Sequence, residues 1–179
     1  MKVDRSFALL KQLINELSSP DDISQVSLTV LRVAAEYLER GVLFILGEDS
    51  FVALAGFGKT GDDVEMTRRA RQVRIPRSEP SVLRDVVESQ SAHRGKLQRT
   101  AANIELIEKL GVVRPTQVIV IPILNRGEVI GLLYGDNAET HGPLESVEGL
   151  EIFLAQSGFA LENAVISQSR QADVSVEET

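Results

Sequence analysis

Apolar residues recur along this chain first at helical and then at strand spacing, and the order of the two periods lays out the elements. Phe7, Leu10, Leu13, Ile14 and Leu17 fall at three- and four-residue steps and predict a short amphipathic helix over 4–18. Ser18, Ser19, Pro20, Asp21 and Asp22 supply a stop and a new start. Ser19 is placed to cap, Pro20 suits the first helical position, and Asp22 sits where a capping-box acid meets the positive end of the helix dipole. A second helix is predicted over 20–39. Its buried stripe is Ile23, Val26, Val30, Leu31, Ala34, Ala35 and Leu38, with Gly41 as the left-handed residue after its end.

The period then changes. Two β-rich runs, 42–46 and 51–57, flank Gly47, Glu48, Asp49 and Ser50 and predict a hairpin. Residues 59–71 are polar with room for one short helix, ahead of a short strand at 72–75. Pro80, followed by Val82, Leu83, Val86 and Val87 on one side, predicts a helix over 80–89, and an extended piece is expected at 91–94. Ile104, Leu106, Ile107 and Leu110 among charges predict a helix over 101–109, ended by Gly111. TQVIVIPIL and EVIGLLYGD flank Asn125, Arg126 and Gly127 and form a second hairpin, with Asn and Gly taking positive φ. VIVIPIL does not alternate with polar residues, so this strand is expected centrally in the sheet, covered on both faces. Val147, Leu150, Leu154, Ser157, Ala160, Leu161, Ala164 and Val165 mark a long helix over 144–167, and 168–179 reads as a polar tail.

Composition narrows the function classes. The chain has 179 residues, 43% apolar, with 19 Lys and Arg against 26 Asp and Glu for a net charge of −7, and no cysteine. A chain of this length buries about 70% of the surface its unfolded form exposes and needs no covalent or metal staple. Missing cysteine excludes disulfides, thiolate metal sites, a cysteine nucleophile and thioether-linked cofactors. The longest apolar stretch, Val118 to Leu124, is broken by Pro122 and is far short of the roughly 20 residues of a membrane span. The N-terminus carries charges inside its apolar pattern, unlike a signal peptide. The expectation is a cytoplasmic protein with no membrane and no nucleic-acid partner, since the net charge repels polyanions.

Several local patterns resemble those of GAF domains. They are VLRVAAEYLERGVLFILGEDSFVALAGFG, the VRIPRSEPSVLRDVVESQ segment, and above all VIVIPILNRGEVIGLLYGDN followed by LAQSGFALENA. The last two match the family's Pro- and Gly-marked hairpin, here Pro122 to Tyr134, and its closing helix, here Leu154 to Ala164. The resemblance covers about residues 20–167, leaving 1–19 as an N-terminal helix for dimerisation or linkage and 168–179 as the tail. It implies an α+β, GAF/PAS-like (profilin-like) fold: a central antiparallel sheet of about six strands, terminal helices on one face, and lid loops and short helices on the other. It further implies a small-molecule-binding sensory or regulatory domain of bacterial type in signal transduction, not an enzyme. Family members often dimerise through terminal helices, which makes Phe7, Leu10, Leu13, Ile14 and Leu17 a candidate homodimer seam; the alternative is that this segment folds back on its own sheet. No kinase, cyclase or DNA-binding element is recognisable, so a signalling partner or a fused output domain is expected to read the domain.

The candidate pocket is the sheet face opposite the terminal helices. Phe44, Leu46, Phe57 and Tyr134 meeting Val82 and Leu83 of the lid would fill it, whereas a cavity of about 300 Å³ or more with convergent polar groups would take a ligand. The filled alternative is a protein-interaction and dimerisation module. His93 and Arg94, at the end of the lid, are candidates for an anion or amide contact, against an ordinary exposed loop histidine. Arg77 and Ser81 flank a helix start able to bind a carboxylate or phosphate, against a plain capping turn centred on Ser78. Arg68, Arg69, Arg71, Arg74 and Arg77 form a basic run suited to an acidic partner or nucleic acid, the latter disfavoured without interleaved aromatics, or a solvated loop paired with carboxylates. Asp136 and Asn137 read as oxygen ligands or as a turn, the turn explaining them better. No metal and no cofactor are expected. Cyclic-nucleotide-binding members usually carry an Asn-Lys-Phe-Asp-Glu set, absent here. Bilin attachment and methionine sulfoxide reduction in the family use cysteine, and neither His93 nor His141 sits in a distinctive haem pattern. No nucleophile elbow, phosphate loop or metal-ligand spacing is present.

Overall fold

The computed structural model describes residues 22–177. The helix expected over 4–18, with Phe7, Leu10, Leu13, Ile14 and Leu17, lies outside the described residues, as do Ser19 and Pro20. The first described helix, α1 (Ile23–Ala34), is capped by Asp22 itself, whose carboxylate accepts from the Ser24 N–H at 2.8 Å. It stops five residues short of the expected end, because Tyr37 and Leu38 both return their N–H groups to the Ala34 carbonyl in a closing turn. Gly41 is therefore not a helix terminator. It lies in a strand, where a Cβ would sit 2.6 Å from the Phe57 ring.

Strands β1 (Arg40–Leu46) and β2 (Ser50–Phe57) form the first hairpin. Then come α2 (Met66–Ala70), β3 (Arg74–Pro76), α3 (Val82–Ser89), β4 (His93–Gly95) and α4 (Ala101–Leu110). The closing elements are β5 (Val118–Asn125), β6 (Glu128–Asp136) and α5 (Glu148–Glu177). In the β5–β6 turn Gly127 takes positive φ, at 81°, as expected, but its companion is Arg126 at 52° and not Asn125, which still pairs with Glu128. Ser81 caps α3, its hydroxyl accepting from the Arg84 N–H at 3.1 Å. The cap is thus not centred on Ser78, and Pro80 precedes the helix. Helix α5 begins four residues later than expected and continues to Glu177, within the segment read as a tail. Residues 168–177 show no apolar stripe, yet they lack Gly and Pro and extend an existing helix at no nucleation cost.

The six strands form one antiparallel sheet in the order β3-β2-β1-β6-β5-β4, an α+β fold with β1 and β6 at its centre. β5 is covered on both faces, as its unbroken apolar run requires, but it is second from the edge, with the three residues of β4 beside its first half. One face carries α1 and α5 over Leu43, Ile119, Ile121, Ile123 and Leu133. The other carries α2, α3 and α4 over Val42, Phe44, Val118, Val120, Leu132 and Tyr134. A β-bulge where Leu43 pairs with Ala55 and Phe44 with Ala53 leaves Leu54 as the extra residue and reverses the side-chain parity of β2. Phe51 and Ala53 accordingly face the lid, while Ala55 and Phe57 pack on the terminal-helix side.

Candidate functional site

The lid face is filled at its centre. Phe44, Val82, Leu83 and Tyr134 are each at most 2% exposed and belong to one packed cluster, with Leu46 half-buried against it. Phe57 takes no part, because the bulge turns it to the other face. Arg77 is also elsewhere: its guanidinium donates to the Gly47 carbonyl at 3.0 Å and locks the β1–β2 turn. The start of α3 is spent on protein partners. The Val82 N–H donates to Asn103 Oδ1 at 2.9 Å and Ser81 caps the turn, which leaves no free anion cradle there. His93 pairs with Val120 and so points to the lid face, where its Nε2 is buried without a hydrogen-bond partner. Arg94 pairs with Ile119 and points to the opposite face, donating to the carbonyls of Leu144 and, at 3.0 Å, Glu145. The arginine run is divided: Arg69 pairs with Asp62 and Arg77 holds the Gly47 carbonyl, whereas Arg68 on α2, Arg71 at its C-cap and Arg74 on β3 are exposed.

Asp136 sits at the end of an apolar strand and anchors a buried ion pair. Arg40, at the start of β1, is in register with it, and the guanidinium grips both carboxylate oxygens: Nε to Oδ1 and Oδ2 at 2.9 and 3.1 Å, Nη2 to Oδ2 at 2.6 Å. The Tyr134 hydroxyl donates to Oδ2 at 2.5 Å and the Ala138 N–H to Oδ1 at 3.0 Å. All three side chains are at most 1% exposed. Burial disfavours the charge on Arg40, but the hydrogen bond and charge of Asp136 outweigh it and hold the guanidinium above its ordinary pKa. Burial first, then the negative charge of Asp136 and the bond to it, push the Tyr134 phenol well above its usual 10.0. The folded chain thus keeps a proton that the unfolded chain releases, so this contribution to stability is complete below pH 10 and declines above it. Urea midpoints at pH about 9 and about 11 are expected to fall less in Tyr134→Phe than in the unsubstituted chain; an equal fall would show that Tyr134 does not set the alkaline limit.

Beside this core lies an open cleft of about 550 Å³, in the range of small-molecule sites. Its walls are the β4–α4 connection (Lys96, Leu97, Gln98, Arg99), the outer side of α4 (Asn103, Ile104, Ile107, Glu108) and the segment entering β5 (Arg114, Pro115, Thr116, Val118). Gly95, just before the first wall, pairs with Val118 and adopts a φ of 136°. None of the pocket residues picked from the sequence lines this cleft. The signal was there only as scattered cations in KLQR and VRP, on segments that the sheet alone brings together.

The cleft is tied to the start of α5. Asn137, 1% exposed, accepts from the Thr116 and Gln117 N–H groups at 3.0 and 2.9 Å and donates to Thr116 Oγ1 at 2.8 Å and the Gly142 carbonyl at 2.6 Å. His141 Nε2 lies 2.8 Å from the Arg114 carbonyl. Asn137 is therefore a loop staple, the turn role expected of it. Among the described residues no cluster of three or more His, Cys, Asp or Glu is placed to hold a metal ion, and no helix is long and apolar enough to cross a membrane.

No family model matches the sequence, and no curated protein matches it. The architecture does match solved structures. The GAF domain of a phosphoenolpyruvate-protein phosphotransferase from Coxiella burnetii superimposes with a TM-score of 0.67 at 18% identity, over 93% of this chain and 96% of that one. A methyl-accepting chemotaxis protein segment gives 0.65 at 16%, over 86% and 97%. The free methionine-R-sulfoxide reductase of Neisseria meningitidis, solved with its substrate, gives 0.64 at 16%, over 96% and 94%. The chain has the fold of GAF domains, a scaffold found in sensory and regulatory proteins and also in an enzyme.

Proposed function

We propose that this GAF-fold chain is a non-enzymatic, cytoplasmic sensory or regulatory domain that pairs with a second copy through α5 and takes a small molecule in the cleft between α4 and β5. The observation that carries the reading is the outer face of α5. Ile152, Phe159 and Ile166 are 53%, 59% and 43% exposed and stand seven residues apart, on the side away from the buried Leu150, Phe153, Leu154 and Leu161. A heptad-spaced apolar stripe on a long helix is the pattern that a second helix covers. The seam thus extends the expectation of a helical dimer from the N-terminal segment to the C-terminal helix. Signalling follows if a ligand binds one arrangement of the paired helices better than another. Support for such a link comes from the Asn137, His141 and Arg94 bonds, which run from the cleft wall and β4 to the loop that enters α5. With no cysteine in the chain, thiol-dependent reduction is outside its chemistry.

A second reading, an interaction and dimerisation module with no ligand, is favoured by the filled lid-side core around Phe44 and Tyr134. Native mass spectrometry of the full chain and of Phe159→Glu tests both. The expected result is a dimer carrying a noncovalent mass for the unsubstituted chain and a folded monomer for the variant. A dimer without added mass moves the weight to the interaction module. A monomeric unsubstituted chain at micromolar concentration removes the helix-pair mechanism.

A further inference from the structure

The cleft also carries information about what it binds. We infer that its ligand is a small organic anion, a carboxylate or phosphate head on an apolar body, held by Lys96, Arg99 and Arg114 with the body against Leu97, Ile104, Ile107 and Val118. This rests on the small-molecule reading of the cleft and deepens it. Three cations and one carboxylate, Glu108, line the cleft of a chain whose net charge is −7, so positive charge is concentrated where the surface as a whole is negative.

The cleft cations are available, as Arg68, Arg71 and Arg74 also are, but the cleft sets three of them together beside an apolar wall. Arg69 and Arg77 are committed to Asp62 and the Gly47 carbonyl, and Arg84 to Glu88 and the Ser78 carbonyl. Lys96 and Arg99 have no ion-pair partner among the described residues. Arg114 meets Glu108 at 3.2 Å, with both side chains more than half exposed, and an anion in the cleft competes readily with so weak a pair. Two of the neutral polar side chains are engaged: Asn103 accepts from Val82 and donates to the Gln98 carbonyl at 3.0 Å, while Thr116 Oγ1 accepts from Asn137; the exposed Gln98 amide is available beside the cations. Three cations against one free amide make charge the main means of orienting a ligand's head. The apolar wall is equally defined. Ile104 is 37% exposed, Ile107 and Leu97 are half-buried, and Val118 is buried. An inorganic ion would leave that wall wet, and an uncharged apolar molecule would leave the cations without a counter-charge.

The test uses the full chain, uniformly labelled with nitrogen-15, titrated with phenylacetate, phenyl phosphate and the neutral phenylacetamide while amide shifts are followed. The two anions are expected to move the amides of 95–99, 104–108 and 116–118, to bind at least about tenfold more tightly than the amide, and to weaken as salt is raised. Lys96→Ala with Arg99→Ala is expected to lower anion affinity about tenfold at unchanged thermal stability, because both side chains are exposed. The relative affinity of the two anions tells a carboxylate head from a phosphate head. If phenylacetamide binds the cleft as tightly as phenylacetate, or the double variant binds the anions as well as the unsubstituted chain, the anion assignment is overturned and the small-molecule reading stands. If none of the three probes moves a cleft amide, the anion assignment fails, and the native mass spectrum decides the small-molecule reading separately.

Discussion

Replacing Asp136 by alanine is expected to destabilise the fold by about 3–5 kcal/mol, the cost of leaving a buried cation without its partner. A domain of this size has about 5–15 kcal/mol in all, so the loss takes from about a fifth of its stability to the whole of it. Three donors lose their acceptor together: the Arg40 guanidinium, the Tyr134 hydroxyl and the Ala138 N–H, all buried. Water cannot replace the carboxylate, since Arg40 is 1% exposed. Arg40→Ala is expected to cost a similar amount for the mirror reason. Arg40→Met combined with Asp136→Leu is expected to cost less than either single change, because an apolar pair needs no desolvation. Chemical denaturation with a common slope measures all three. A double variant as unstable as the sum of the singles would show that the pair does something other than neutralise itself.

Phe44→Ala is expected to cost about 3–5 kcal/mol as well, through a different mechanism. Phe44 is fully buried on the lid side of the central strand β1, where it pairs with Leu132 and Ala53, and its neighbours are held by the sheet and cannot close the void. The consequence bears on function. The void is apolar and dry, and such voids accept benzene-sized molecules. Saturating benzene is expected to raise the melting temperature of Phe44→Ala and to leave the unsubstituted chain unmoved. A rise of equal size in the unsubstituted chain would reveal a preformed pocket under the lid and overturn the filled-core description.

Local signals carried much of the architecture. Both hairpins follow from short turn segments between β-branched runs, and an error of one residue in the second turn left the strands in place. Asp22 was recognisable as a residue that belongs at a helix start, although its role as the cap itself shows only in its bond to Ser24. The buried stripe of α5 was legible because 3.6-residue spacing is a property of the helix alone. Its extension to Glu177 was hidden, because a solvated helix end has no apolar stripe to mark it.

Local pattern was enough for the elements found between residues 22 and 177, the two-faced burial of VIVIPIL and the absence of thiol chemistry, all of which depend on composition or on neighbours a few residues apart. Tertiary structure decided everything that rests on pairing across the chain. One bulge opposite Leu43 and Phe44 sent Phe57 to the terminal-helix face, because the period of a strand is two and a single extra residue inverts it. The β1–β6 register set Arg40 beside Asp136 from 96 residues away. The cleft draws Lys96, Arg99 and Arg114 from segments that meet only once β4 and β5 pair, and no local pattern encodes a meeting made by the sheet.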